Sequence, residues 1–312
     1  MARPTIVLDC DPGHDDAVAL VVAAARADLL GITTVAGNVP LERTTANALG
    51  LVALLGLDVP VHAGAALPLA ADTGAPVHAE LVHGESGLAG VTLPDHDREV
   101  ASDDAVGFLA RAAAEHDDLH LVATGPLTNV ARLVRDHPEA ARRLASIHLM
   151  GGGRFGNVTA TAEFNAWFDP EAADVVLRSG VPITLCGLDL THQLLVDDAL
   201  LARLRRLPGD VGDFYADLLG TYRDNVWRLS GHDLAAIHDA CAVLALTDPG
   251  LVTFDHRHVA VELRGEHTRG MTVIDDRPWM DGGPCRVVRN IDAPIAQDLI
   301  VDAVAEVGAS RS

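Results

Sequence analysis

The stretch from Thr5 to Ala27, TIVLDCDPGHDDAVALVVAAARA, decides how the rest of the chain is read. Its first five residues are a short β-branched and apolar run of strand length, Pro12-Gly13 supplies a turn, and residues 17–27 are an apolar stretch of helical length. Strand, turn, helix is the repeating unit of an α/β fold, and the unit recurs downstream. Residues 31–36 read as a strand and 41–55 as a helix. A Ser102 cap opens a helix to residue 115, followed by a strand over 119–123 and a helix over 127–135 ended by Pro138. A strand over 146–150 runs into the glycines 151–153. Asp169-Pro170-Glu171 starts a helix, with Pro at its first position and an acid in its first turn, and Gly180 ends it. Residues 181–185 are a strand again.

Strands alternating with helices predict a mostly parallel central sheet with helices on both faces, Rossmann-like in plan. Ligands of such sheets bind beyond the carboxyl ends of the strands. Residues 197–247 read as wholly helical, 257–290 as a small antiparallel set of strands, and 294–307 as a final helix. No internal repeat, low-complexity tract or linker interrupts the pattern, so residues 1–312 are expected to form a single catalytic domain.

Composition narrows the chemistry. The 312 residues carry 44 acidic and 23 basic side chains, a net charge of −21, and every basic residue is Arg. Without Lys there is no Schiff base, no pyridoxal phosphate anchor and no phosphate-binding lysine of the G-x-x-x-x-G-K-[ST] type. Codon bias in a GC-rich genome accounts for the missing Lys, but the exclusion holds whatever its cause. A strongly negative chain repels phosphate backbones and anionic lipid, so nucleic-acid and membrane partners are not expected. No run reaches the roughly 18 apolar residues of a membrane span, and the N-terminus enters its first strand with no room for a signal peptide. The four cysteines, Cys10, Cys186, Cys241 and Cys285, lack C-x-x-C spacing and sit in apolar runs. They read as buried free thiols of a cytoplasmic protein.

Asp11 falls at the carboxyl end of the first strand, and Asp15 and Asp16 at the start of the next helix, so three carboxylates converge where the sheet opens. Like charges at short range raise one another's pKa, and a helix N-terminus offsets only about half a charge. One Asp could serve as a helix cap; three point to a hard divalent cation, Ca²⁺ or Mg²⁺. Asn38, Thr124, Asn157, Glu163 and Asn165 follow other strands. Each alone reads as a loop or cap residue, but together they make a polar rim on the same edge. His238-Asp239 breaks an apolar run read as helix. A carboxylate there is costly unless paired or metal-bound, and the adjacent His is a natural proton donor near neutral pH. His83 is a second histidine candidate, from a loop. Most of the other histidines, including His256 and His258, read as structural.

These segments resemble the nucleoside hydrolases, the inosine-uridine preferring nucleoside N-ribohydrolases. The resemblance rests on Asp9-Cys10-Asp11-Pro12-Gly13-His14-Asp15-Asp16-Ala17, Val35-Ala36-Gly37-Asn38, His83-Gly84-Glu85-Ser86-Gly87, Thr124-Gly125-Pro126-Leu127-Thr128-Asn129, Ala162-Glu163-Phe164-Asn165, Gly187-Leu188-Asp189-Leu190-Thr191 and His238-Asp239, in the family's order. It implies calcium-dependent hydrolysis of ribonucleosides to ribose and free base, in nucleoside salvage. Carried over by motif, Asp11, Asp16, the Thr124 carbonyl and Asp239 would hold Ca²⁺, with Asp11 also activating a calcium-bound water. Asp15, Asn38, Asn157, Glu163 and Asn165 would grip the ribose, His238 would protonate the leaving base, and His83 would flank it. Between Tyr222 and Leu234 the sequence departs from the aromatic residues that often close over the base in this family; Tyr222, Trp227 and His232 are the lid candidates. A homodimer or homotetramer and a pyrimidine preference, uridine first, are expected.

Two other readings stand beside this one. Asp9-x-Asp11 after a first strand imitates the acid pair of the haloacid dehalogenase-like, Mg²⁺-dependent phosphatases. That family normally adds a Lys, sometimes an Arg, and its motif continues with Thr or Val where Pro12-Gly13 stands here. A non-catalytic, calcium-dependent ribose-binding protein would have no need of His238.

Overall fold

The computed structural model describes residues 3–70, 84, 86–88, 90–280 and 282–310. Eight strands form one sheet: β1 (Thr5–Cys10), β2 (Asp28–Thr34), β3 (Val61–Ala63), β4 (His120–Ala123), β5 (Ser146–Met150), β6 (Ile183–Cys186), β7 (Val252–Arg257) and β10 (Cys285–Ile291), in the order β3-β2-β1-β4-β5-β6-β10-β7. All neighbours pair in parallel except the edge strand β7, which runs antiparallel to β10. β8 (Val259–Val261) and β9 (Thr272–Ile274) make a separate antiparallel pair. The mostly parallel sheet expected from the sequence is thus present, but the C-terminal strands divide: β7 and β10 extend the main sheet, and only β8 and β9 stand apart.

Alternating side chains along the strands feed two apolar layers. Ile6, Leu8 and Val122 pack under the helices His14–Arg26 and Ala293–Ser310 on one face. Val7, Leu121 and Ile147 pack under Ala105–Glu115, Thr128–Asp136 and Pro170–Leu177 on the other. Covering both faces explains why the central strands read as continuous apolar runs. Among the described residues no helix is long and apolar enough to cross a membrane. All four cysteines are free and buried.

The chain leaves β1 toward β2 and β3 and returns to β4 on the other side of β1. The loops after β1 and β4 therefore diverge and open a crevice at the carboxyl edge, the position where such sheets bind ligands.

One sequence expectation is corrected here. Residues 197–247 are not a continuous helix: Asp198–Leu204, Asp210–Ser230 and Ala240–Thr247 are separate, and residues 231–239 are irregular. Gly231 ends the middle helix in the left-handed conformation (φ 71°). The apolar residues Ala235–Ile237 then run extended beside 194–196, through Val196 N–H to Ala235 O (2.8 Å) and Ile237 N–H to Leu194 O (2.8 Å). His238-Asp239 accordingly precedes the last of these helices instead of interrupting it.

Candidate active site

The first helix begins at His14, three residues before the apolar run suggested, because its N-terminus is capped from within. Gly13 N–H donates to Asp16 Oδ2 at 2.9 Å, so Asp16 is held at the helix mouth and Asp15 beside it. Asp239, at the N-cap of Ala240–Thr247, meets them from the far side of the chain. One carboxylate oxygen from each of Asp15, Asp16 and Asp239 lies within 4.8 Å of the others, and all three residues are buried. The backbone N–H of His238 donates to Asp15, and Asp15 and Asp239 share a side-chain hydrogen bond.

Asp11 stands outside this triad but against the same cavity. Its Oδ2 accepts the Asn38 N–H at 2.7 Å, while its buried Oδ1 has no hydrogen-bond partner. The carboxylate is clasped between two glycines. A Cβ on Gly37 would lie 2.1 Å from Asp11 Oδ2, and one on Gly125 would lie 2.6 Å from Oδ1. Only glycine lets the loops after β2 and β4 close on it.

The electrostatics are unbalanced as they stand. Burial, then the Asp16 charge, lifts Asp15 to about 7. Burial first and neighbouring carboxylates second push Asp11 and Asp239 well above the usual carboxylate range, and burial raises Asp16 as well. Four crowded acids, an orphaned buried oxygen and an all-oxygen donor set fit a hard divalent cation. Of the residues expected to hold it, Asp16 and Asp239 are in the triad and Asp11 faces the shared cavity. Thr124 is also at the site, its Oγ1 donating to Asp16 Oδ1 at 2.8 Å and its carbonyl accepting Asn165 Nδ2 at 2.7 Å. Asp15, assigned from the sequence to the sugar, is the third member of the triad.

The polar rim gathers around a cavity of about 250 Å³. Glu163 caps the helix Phe164–Phe168, accepting Asn165 N–H on Oε1 (3.0 Å) and Ala166 N–H on Oε2 (3.1 Å); Oε2 also takes Gly152 N–H (2.7 Å). Gly152 has φ +68°, a left-handed turn that suits glycine and aims its N–H at the acid. Asn165 Nδ2 also donates to the Met150 carbonyl (3.1 Å), and Asn157 Oδ1 accepts Phe164 N–H (2.9 Å). Asn38, Asn157, Glu163, Asn165 and His238 all line the cavity. Its remaining wall includes Phe164, His192, Tyr222, Val226 and Leu234.

Two lid candidates are not brought to this wall. Trp227 is 56% exposed and His232 is exposed, and neither lines the cavity. For Trp227 the reason is helical phase: Tyr222 and Val226, four residues apart, share the inward face, and Trp227 is turned about 100° away, whereas His232 lies past the end of that helix. His83 lies outside the described residues. Sequence reasoning missed His192, and also His14, which stacks beneath Tyr222 (ring centroids 5.0 Å, planes 22° apart). His14 stands inside the acid motif; its ring against an aromatic 200 residues away left no local trace. Asp9 is fully buried below the site, its Oδ1 accepting Thr33 Oγ1 (2.6 Å) and Asn129 Nδ2 (2.8 Å). Shut off from the cavity, it cannot serve as half of a phosphatase acid pair.

Comparison with known proteins bears on this arrangement. The family model of the inosine-uridine preferring nucleoside hydrolases matches residues 6–298. The chain is 44% identical over 284 residues to a pyrimidine-specific ribonucleoside hydrolase RihA of Shewanella woodyi, covering 88% of this chain and 89% of that one. It is 42% identical, with the same coverage, to the enzyme of that name from Salmonella typhimurium. Among solved structures, a purine-preferring ribonucleoside hydrolase from Gardnerella vaginalis superimposes with a TM-score of 0.90 at 32% identity, over 97% of this chain and 99% of that one.

Proposed function

The chain belongs to the inosine-uridine preferring nucleoside hydrolase family, and on that premise we propose that it cleaves the N-glycosidic bond of pyrimidine ribonucleosides, uridine first, with calcium as its divalent cation. The observation that carries this reading is one cavity lined both by buried carboxylates and by a histidine. The pyrimidine preference follows the relatives that share more than 40% of the sequence over the purine-preferring structural neighbour at 32%.

Asp11, Asp16, Asp239 and the Thr124 carbonyl are the residues that would hold calcium, with Asp15 next to them. A hard divalent cation supplies Lewis acidity toward water and toward vicinal hydroxyls. Asp11 acts as general base and takes the proton of the attacking water. Asp15, Asn38, Asn157, Glu163 and Asn165 bind and orient the ribose. Positive charge grows on the sugar as the C1′–N bond breaks, and the surrounding carboxylates stabilise it in a site shielded from bulk water. The water oxygen bonds to C1′, the electron pair of the broken bond leaves with the base, and His238 protonates that base. Such proton delivery is typically worth ~10²–10⁴-fold. The products are ribose and free base. We take the whole chain as one cytoplasmic catalytic domain acting as a homodimer or homotetramer.

Incubation with uridine, cytidine, inosine, adenosine and guanosine, followed by assay of reducing sugar, tests the activity. Uridine is expected to be the best substrate. Release that stops on chelation and returns with Ca²⁺ but not Mg²⁺ supports the cation assignment. Ribose release from none of the five, with calcium present, would sink the reading.

A further inference from the structure

Thr191 takes no part in the scheme above, yet its side chain is hydrogen-bonded to the proposed acid. Its Oγ1 lies 2.7 Å from His238 Nδ1. Thr191 is fully buried, so the hydroxyl is there for the protein's own use. We propose that Thr191 is a positioning residue, which holds the His238 imidazole so that Nε2 faces the leaving base. This rests on the reading of His238 as the leaving-group acid.

The backbone on both sides of this contact is already fixed. Ile237 N–H is bonded to Leu194 O, and His238 N–H to Asp15. On the other side, Thr191 closes the short helix Leu188–Thr191, its N–H donating to Gly187 O at 3.0 Å. That turn is anchored in turn by Leu188 N–H to Gly152 O at 2.9 Å. With both backbones tied, the freedom left to His238 is rotation of its side chain, and the Thr191 bond sets it. The next residue, His192, flanks the ring at 5.6 Å between centroids and limits how far it can swing.

The hydroxyl oxygen can accept from the ring in both of its protonation states. When the ring carries both protons, Nδ1–H donates to Thr191 Oγ1 and Nε2–H faces the cavity. After Nε2 gives its proton to the base, the ring remains in the Nδ1–H tautomer with the same bond to Thr191. One hydrogen bond serves both states of the ring, so proton transfer requires no rearrangement behind it.

The test compares Thr191→Val, a near-isostere without the hydroxyl, Thr191→Ser, His238→Ala and the double variant Thr191→Val/His238→Ala. Each is assayed in calcium on uridine and on p-nitrophenyl riboside, whose leaving group needs little protonation. His238→Ala is expected to lose at least 100-fold more kcat on uridine than on the nitrophenyl substrate. Thr191→Val should lose about tenfold in kcat on uridine, keep KM within twofold, and keep p-nitrophenyl riboside turnover within twofold. Thr191→Ser should recover most of the loss, and Thr191→Val should cost nothing further in the His238→Ala background. Turnover of the nitrophenyl substrate shows which variants are folded, and Thr191→Ala carries the test if the valine variant is not. Equal losses on both substrates by Thr191→Val, no rescue by serine, or a full additional loss in the double variant would overturn the positioning role alone. Equal losses on both substrates by His238→Ala would overturn the acid reading, and the role of Thr191 with it.

Discussion

Replacing Gly37 by alanine tests how tightly the site is built, because the required displacement can be read from the structure. The new Cβ would stand 2.1 Å from Asp11 Oδ2 and 2.7 Å from Pro126 Cδ, where ordinary contact begins at 3.4 Å. The carboxylate must give way by about 1.3 Å or the loop must lift. Either route breaks the Asn38 N–H bond to Asp11 at 2.7 Å, a charged hydrogen bond of about 1.5–3 kcal/mol. Forcing Asp11 off its rotamer adds about 0.5–1.5 kcal/mol. The expected loss is about 2–4 kcal/mol in stability, measured by urea denaturation. Because misplacing a reacting group by about 1 Å can cost 10²-fold, kcat/KM on uridine should fall by at least that factor. Gly250→Ala is the matched control: nothing lies within 4 Å of its Cβ and its φ is not positive, so it should be neutral or stabilising by up to ~1 kcal/mol. If Gly37→Ala keeps kcat/KM within threefold of the parent and melts like Gly250→Ala, the packing of Asp11 between its two glycines is not what holds the site.

Calcium should raise the melting temperature in proportion to the logarithm of its concentration above Kd, because it binds only the assembled acids; a melting temperature indifferent to both calcium and chelator would count against a cation at this place. His148, buried in β5, is lowered from 6.5 to about 3 by burial, with His120 and Arg286 adding to it. A folded pKa below the unfolded one contributes stability that is complete above about pH 6.5 and is lost as pH falls toward 3. His148→Leu should therefore shrink the difference in unfolding free energy between pH 7 and pH 4 by about 3 kcal/mol, and an unchanged difference would refute the assignment. At the cavity wall, Leu234→Ala should raise KM for uridine severalfold while Trp227→Ala stays within about twofold; the reverse ranking would restore Trp227 as the lid.

The central sheet was legible because each buried strand is an apolar run and each helix has a start signal, as in Asp169-Pro170, where Asp169 is the N-cap and its carboxylate accepts Ala172 N–H. The acid motif was legible for a different reason: three aspartates in one strand-helix junction have no comfortable neutral use. What failed was local. Residues 234–237 and 240–244 are apolar on both sides of His238, and an apolar run does not say whether it is buried as helix or as an extended segment. Asp9 and Asp11 look equivalent in D-x-D, but the strand ends between them. Asp9 stays with the lower layer, bonded to Thr33 and Asn129, and only Asp11 enters the cavity. Thr191 and His14 carry no signal of their own, since each matters through a partner brought to it by the fold.

The triad of acids joins residues made early with one made late: Asp15 and Asp16 precede Asp239 by more than 200 positions. A growing chain therefore carries two of the three acids through most of its synthesis, with nothing opposite them. No early folding unit can be active, and a chain cut before the last quarter has no site to lose. Ribose release thus reports that the early and late members of this triad have met, a step no fragment ending before Asp239 can make.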